Sequence, residues 1–209
     1  MTEKKRGRGW TLAGIVLLAA ALLLTGYNLA SDLRAGRSAQ AVLSGIAAAP
    51  RADSPVPDYL LTPGMEMPTC LVDGQRYVGT VSVPALELTL PVAAEWSYPQ
   101  LRQTPCRYSG TAYAGNLVIA AHNYTRHFGR LKALSPGDEV VFTDVDGHVF
   151  RYQVAELETL APTAVEDMTD SGWELTLFTC TVGGKSRVTV RCERTDEDMA
   201  GYVPASAKI

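Results

Sequence analysis

Apolar and polar positions divide the chain into three textures. The first is an unbroken apolar run. Residues 9–31 carry no charged side chain, and their apolar heart, residues 10–27, is 18 residues long. As a helix that heart would rise roughly 27 Å, close to the hydrocarbon thickness of a bilayer. It is apolar on every face, unlike a helix that covers a soluble core. Trp10 and Tyr27 close its two ends, where amphipathic rings favour the headgroup region. The pattern therefore predicts a transmembrane helix over residues 10–29. The second texture, residues 31–49, is Ala-rich with Leu33, Val42, Leu43 and Ile46 at loosely helical spacing, and Ser31 or Asp32 reads as an N-cap. Five prolines between positions 50 and 68 then describe a linker or a strap.

The third texture begins near Arg76 and is built of short β-branched runs. "YVGTVSVP" (77–84) and "LELTLPV" (86–92) read as strands, and "AEWSYPQL" (94–101) as a short helix. "NLVIAAH" (116–122) is a continuous apolar strand ending on a histidine, and "FGRLKAL" (128–134) is one or two helical turns. "EVVFTDVDGHVFRYQVAEL" (139–157) reads as two strands joined by a two-residue turn at Asp146-Gly147. "WELTLFTC" (173–180) and "SRVTVRCER" (186–194) supply two more. Short strands at regular spacing with Gly and Pro turns predict an all-β closed barrel or a sandwich. The expected organisation is a tail at 1–9, a membrane helix at 10–29, a juxtamembrane helix and linker at 30–75, and a β domain at 76–209.

Composition narrows the function. Apolar residues make up 46% and charged residues 20%, enough for a core, and the net charge of −3 argues against a nucleic-acid partner. Lys4, Lys5, Arg6 and Arg8 precede the apolar run, so the positive-inside rule keeps the N-terminus cytoplasmic and sends the rest outside. A cleaved signal peptide is the competing reading. Its small-x-small site at Ala39-Gln40-Ala41 lies far from the apolar run, and Asn28-Leu29-Ala30 opens on a poor residue. Four cysteines without a C-x-x-C pair make a structural zinc site an unsuitable reading, and no cofactor is expected.

Candidate chemistry centres on Cys180. It ends an alternating strand and adjoins the Thr-Val-Gly-Gly break, so it is either a small buried hydrophobe or an exposed nucleophile. His122 also ends an apolar strand, and an imidazole there reaches a cleft while its strand stays buried. His127 and His148 sit in polar, turn-like contexts and read as surface residues. Arg187 opens the strand after the loop from Cys180, so an antiparallel pair makes the two near neighbours. Its permanent charge suits a thiolate, a substrate carbonyl or an oxyanion. Arg191 and Arg194 read as solvated. Cys192 lies five residues beyond Arg187 and so faces the other way. Cys70 and Cys106 flank the first strand pair, and a disulfide among Cys70, Cys106 and Cys192 is left open. Asp144 and Asp146 fit a hairpin turn better than a calcium loop.

Thr176-Leu177-Phe178-Thr179-Cys180 resembles the T-L-x-T-C signature of sortases, membrane-anchored transpeptidases of Gram-positive cell surfaces. "NLVIAAHNYTRHFGRLKALSPGDEVVFTD" is similar to the segment of that family in which a strand ends on the catalytic histidine. "SRVTVRCER" resembles the strand that opens on the catalytic arginine, and "YVGTVSVPALELTLPV" the first two strands. The likeness covers about residues 76–194 in matching order.

The resemblance implies a closed sortase-type β-barrel of about eight strands with short helices behind a membrane helix. It implies Cys180 as nucleophile, His122 and Arg187 as its partners, and Thr179 as a lining residue of the substrate groove. It further implies cleavage of an LPxTG-like sorting signal on surface proteins through a thioester. The acyl group then passes to an amine of peptidoglycan or of a pilin. The Cys180–Arg187 loop, six residues, is short for the family, and the strap lacks the Asp-Pro-aromatic lid of many pilin-polymerising members. Class B is one subclass it allows. The rival functions are an extracytoplasmic cysteine hydrolase and a non-catalytic surface binding domain.

Overall fold

The computed structural model of the chain describes residues 3–49 and 61–195. One helix, α1, runs Glu3–Ala48, and the chain divides into two compact units, residues 1–34 and 35–209. In the first unit Trp10, Leu12, Ile15, Leu17, Leu22, Leu24 and Tyr27 are all exposed. Apolar surface costs about 25 cal/mol per Å² in water, so a helix exposed all round calls for a non-aqueous cover. Among the described residues it is the helix long and apolar enough to cross a membrane. The expected cap at Ser31 or Asp32 does not form. The helix continues through both, and Ser31 Oγ donates to Tyr27 O at 2.9 Å. Neither Gly nor Pro occurs in residues 27–35, and a serine hydroxyl inside a helix can satisfy itself on the carbonyl four residues back.

The second unit is a β-barrel. Its strands are β1 (Cys70–Val72), β2 (Gln75–Val83), β3 (Leu88–Ala93), β4 (Cys106–Ser109), β5 (Leu117–Ala121), β6 (Glu139–Asp144), β7 (Val149–Leu160), β8 (Leu175–Cys180) and β9 (Arg187–Arg194). They form one sheet in the order β1-β2-β3-β4-β5-β8-β9-β7-β6. A β2–β6 pairing closes β2 through β9 into an eight-strand barrel, with the three-residue β1 as an edge outside it. The sheet is mixed, because β3–β4 and β5–β8 run parallel. Closure demands close approach at Gly79, which pairs with Asp144. A Cβ there would lie 2.1 Å from the Thr143 carbonyl oxygen, so only glycine fits.

Alternation fills the barrel. Val81 and Val83 of β2, Leu117 and Ile119 of β5, Leu175 and Leu177 of β8, and Val188 and Val190 of β9 share one buried cluster. β5 is apolar throughout because its other face is covered too. Val118 and Ala120 pack with Phe178 and with Met168 of the short helix α3 (Val165–Thr169). Another short helix, α2 (Tyr98–Leu101), is capped by Ser97, whose hydroxyl accepts the Gln100 N–H at 3.2 Å. Phe128–Ala133 form a 3-10 helix where a helical turn was expected.

Several expectations from the sequence are corrected by packing. The β6–β7 hairpin has a longer connection than a two-residue turn, since the last paired residues are Thr143 and Val149. Asp144 Oδ1 accepts the N–H groups of Asp146, Gly147 and His148 at 2.8–2.9 Å, which makes the carboxylate the organiser of the loop. His148 is buried rather than at the surface. Its Nδ1 meets Asp144 Oδ2 at 2.6 Å, and Tyr113 donates to the same oxygen at 2.6 Å. His127 is also buried, against the Tyr124 ring. Arg194 stacks over the Phe150 ring at 4.8 Å.

All four cysteines are free. Cys70, Tyr77, Ala93 and Cys106 form one row across β1–β4. Three strand spacings separate Cys70 from Cys106, about 14 Å, twice the reach of a disulfide. Cys192 faces the barrel interior, and burial pushes its thiol and that of Cys106 up to about 12. Of the expected linker, residues 50–60 lie outside the described residues; Leu61 and Met67 pack onto the barrel core.

Candidate active site

Three neighbouring strands build the site. β8 lies between β5 and β9. In the parallel β5–β8 pair Ala121 stands beside Thr179, so His122 and Cys180 are the next residues along. In the antiparallel β8–β9 pair Cys180 stands directly opposite Arg187. Strand neighbours lie about 4.8 Å apart, so the backbones of His122 and Arg187 flank that of Cys180 at one rim. Parity gives all three the same face. Ala121, Leu177 and Val188 belong to the interior cluster, so His122, Cys180 and Arg187, one residue away from an inward position or an odd number of steps from one, point outward.

Each partner is held in place by local chemistry. Phe128 N–H donates to His122 O at 3.2 Å, which closes the 123–127 excursion, and Tyr124 O accepts from both His127 and Gly129 at 2.9 Å. A Cβ on Gly129 would sit 2.5 Å from the Asn123 carbonyl, so this turn requires glycine. The Tyr124 ring lies over the His122 ring at 4.9 Å. Arg187 Nη1 donates to Gly184 O and Ser186 O at 3.2 and 3.3 Å, bracing the loop after Cys180. Thr179 is buried, and its hydroxyl donates to Ala121 O at 2.8 Å. That bond ties the end of the histidine strand to the end of the cysteine strand, while Thr179 also lines the cavity beside the sulfur.

Burial lowers the His122 pKa below the usual histidine value, and the Arg102 charge lowers it further. The folded protein thus resists a proton that the unfolded chain accepts. His122 costs stability as pH falls from the ordinary histidine range through its lowered value. Arg102→Gln removes the smaller of the two causes. The His122 ring resonances, followed by NMR titration, are expected to shift their midpoint upward, part of the way to the ordinary value. The shift should shrink in high salt because Arg102 is exposed.

Residues that sequence reasoning passed over complete the surroundings. Phe178 is two steps from Cys180 on the same face. Its ring meets Tyr108 at 5.2 Å, Tyr108 meets Trp96 at 5.5 Å, and Trp96 meets Tyr98 at 5.7 Å. The result is an aromatic row leading from the sulfur to rings that are 43% (Trp96) and 73% (Tyr98) exposed. Strand parity flags Phe178; the others converge from separate segments. Arg191 overturns its solvated reading. It is 2% exposed and shares the face of Arg187, four residues on. Its Nε meets Glu158 Oε1 at 2.5 Å, and its other nitrogens donate to Ser171 Oγ, Thr176 Oγ1 and Asp167 O. It pins the β7–β8 connection, and α3 with it, beside the outer face. Among the described residues no group of three or more His, Cys, Asp or Glu is placed to hold a metal.

A closed mixed barrel presenting a thiol, an imidazole and a guanidinium on adjacent strand ends defines the class of protein. A family model described as the sortase domain matches residues 81–195, more than half of the 209. The chain belongs to the sortase family, whose members are cysteine transpeptidases. Sortase A of Bacillus anthracis is 26% identical over 121 residues, covering 55% of this chain and 57% of that protein, so the match spans little more than half the relative's length. Among solved structures, sortase C of Streptococcus pneumoniae superposes with a TM-score of 0.52 at 22% identity, over 80% of this chain and 89% of that one. Sortase C-3 of the same organism gives 0.53 at 24% identity, over 80% and 84%. The sortase D5 transpeptidase of Clostridium perfringens gives 0.50 at 22%, over 57% and 79%. At these identities the structural likeness speaks for the fold. The relatives are named as sortases A, C and D and do not single out a subclass for this chain.

Proposed function

We propose that this protein is a membrane-anchored cysteine transpeptidase that cleaves an LPxTG-like sorting signal and transfers the acyl group to an amine. Residues 1–9 are its cytoplasmic tail, 10–29 its membrane span, 30–75 the connection, and 76–209 the extracellular catalytic domain. The basic residues before the apolar run support that orientation. The observation that carries the enzymatic reading is the register across β5, β8 and β9, with Cys180 between His122 and Arg187 on one outward face.

In this scheme the Cys180 thiolate attacks the carbonyl carbon of the sorting motif's threonine. Arg187 stabilises the oxyanion, and the C–N bond breaks as His122 imidazolium protonates the leaving amine. A thioester remains. The incoming amine attacks it, the neutral imidazole takes its proton, and the thiolate departs. One hard amide exchange becomes two easier steps. The aromatic row, which ends on the exposed Trp96 and Tyr98 rings, supports an apolar acyl-side peptide lying beside β8. Acceptors are amines of peptidoglycan or of a pilin lysine.

Incubating the protein with LPxTG-like peptides and candidate amines, and reading products by mass, tests the proposal. The expected products are amine-ligated peptides whose yield rises with amine concentration. Hydrolysed peptide at every amine concentration would point instead to a hydrolase, and intact peptide to a binding domain.

A further inference from the structure

Cys180 also opens on a cavity of about 130 Å³, lined by Asn123, Phe128, Lys132, Val182 and Val188 together with Thr179 and Thr181 and by none of the rings of the aromatic row. That is room enough for the head group of an amino acid. Its polar inventory is short. The Thr179 hydroxyl is engaged with Ala121 O, and the Thr181 hydroxyl lies 3.1 Å from Ser186 Oγ. The Asn123 amide and the Lys132 ammonium are the other polar side-chain groups of the lining besides the sulfur. Lys132 carries the single charge among the described lining residues, and no carboxylate opposes it. Asn123, the residue after His122, and Cys180 both line the cavity, so it adjoins the strand ends that carry the proposed sulfur and imidazole, with Lys132 as its charged group.

We propose that this cavity is the acceptor subsite and that it selects amines bearing a carboxylate close to the amino group, held by Lys132 with Asn123. The inference rests on the transpeptidase reading above. The amine nitrogen forms its bond to the thioester carbon, its proton passes to His122, and the C–S bond breaks to restore the Cys180 thiolate. The carboxylate stays unchanged throughout and serves only for recognition, through a charge-assisted hydrogen bond.

The test compares glycine with glycinamide as acceptors in wild type and in Lys132→Gln, reading ligated product by mass. Taking the ratio of ratios cancels the difference in nucleophilicity between the two amines. The glycine-over-glycinamide preference in kcat/KM is expected to fall about three- to tenfold in Lys132→Gln, and to be kept in Lys132→Arg. An equal loss for both amines, or no change in the ratio, would overturn the proposal. Lack of a thioester adduct on wild-type Cys180, read separately by intact mass, would overturn the transpeptidase reading and this one together. A wild-type adduct with an unchanged ratio overturns this one alone.

Discussion

Cys180→Ala is expected to abolish ligation, by at least about 10³-fold, while leaving the fold in place. In the proposed mechanism the sulfur supplies the nucleophile, and the other three thiols lie elsewhere in the fold. Cys192 lies inside the barrel and Cys106 is buried outside it, both with thiol pKa values pushed up to about 12, while Cys70 is five strands away at the sheet edge. Cys180 is only half-buried at the end of β8, and the β8–β9 ladder is made by the backbone, so truncation removes little packing. The melting temperature by circular dichroism should therefore stay within a few degrees of wild type. Arg187→Ala is the companion variant. If Arg187 is the oxyanion donor proposed above, its loss costs about 10²–10³-fold in kcat, and a lysine in its place lacks the planar fork that holds the loop carbonyls. Ligation that survives Cys180→Ala undiminished would end the nucleophile assignment.

Arg191→Met is expected to have the largest effect on stability. Removing the guanidinium strands Thr176 Oγ1 and the Asp167 carbonyl without a donor, and leaves Glu158 beside an apolar side chain. Breaking a buried ion pair costs about 3–5 kcal/mol, and the partial exposure of Glu158 favours the lower end. For a domain of this size that is a fall of about 6–12 °C in Tm. Arg191→Met with Glu158→Gln should recover part of the loss, and the double-mutant cycle measures the coupling. A second effect follows from where Arg191 reaches. With Asp167 released, α3 and Met168 loosen from Val118, Ala120 and Phe178, and KM for the sorting peptide should rise. A melting temperature equal to wild type would mean that the β7–β8 connection is held by other contacts.

Both predictions concern the outer face of the barrel, and they differ in how legible they were. Cys180, His122 and Arg187 could be selected from the chain because each sits where a run of alternating or continuous apolar residues stops. A strand that ends at a barrel rim exposes the chemistry at its end, and that signal is local. The odd spacing that sends Cys192 inward is local as well. Arg191 has the same outward parity as Arg187, yet the sequence offers no sign that α3 folds over one and leaves the other at the rim. His148 looks like a turn residue because its neighbours are polar. Its burial comes from Tyr113, far away in sequence, donating to the same Asp144 oxygen.

The residue pattern alone determined the apolar helix, the strand texture and the parity of each strand, because side-chain direction in a helix or strand depends only on spacing along it. The tertiary structure decided which strands became neighbours. Setting β8 between β5 and β9, closing β2 on β6 and laying α3 over the outer face all join segments remote in sequence. Loop-closure entropy and packing select among such pairings, and no local window of residues contains that information.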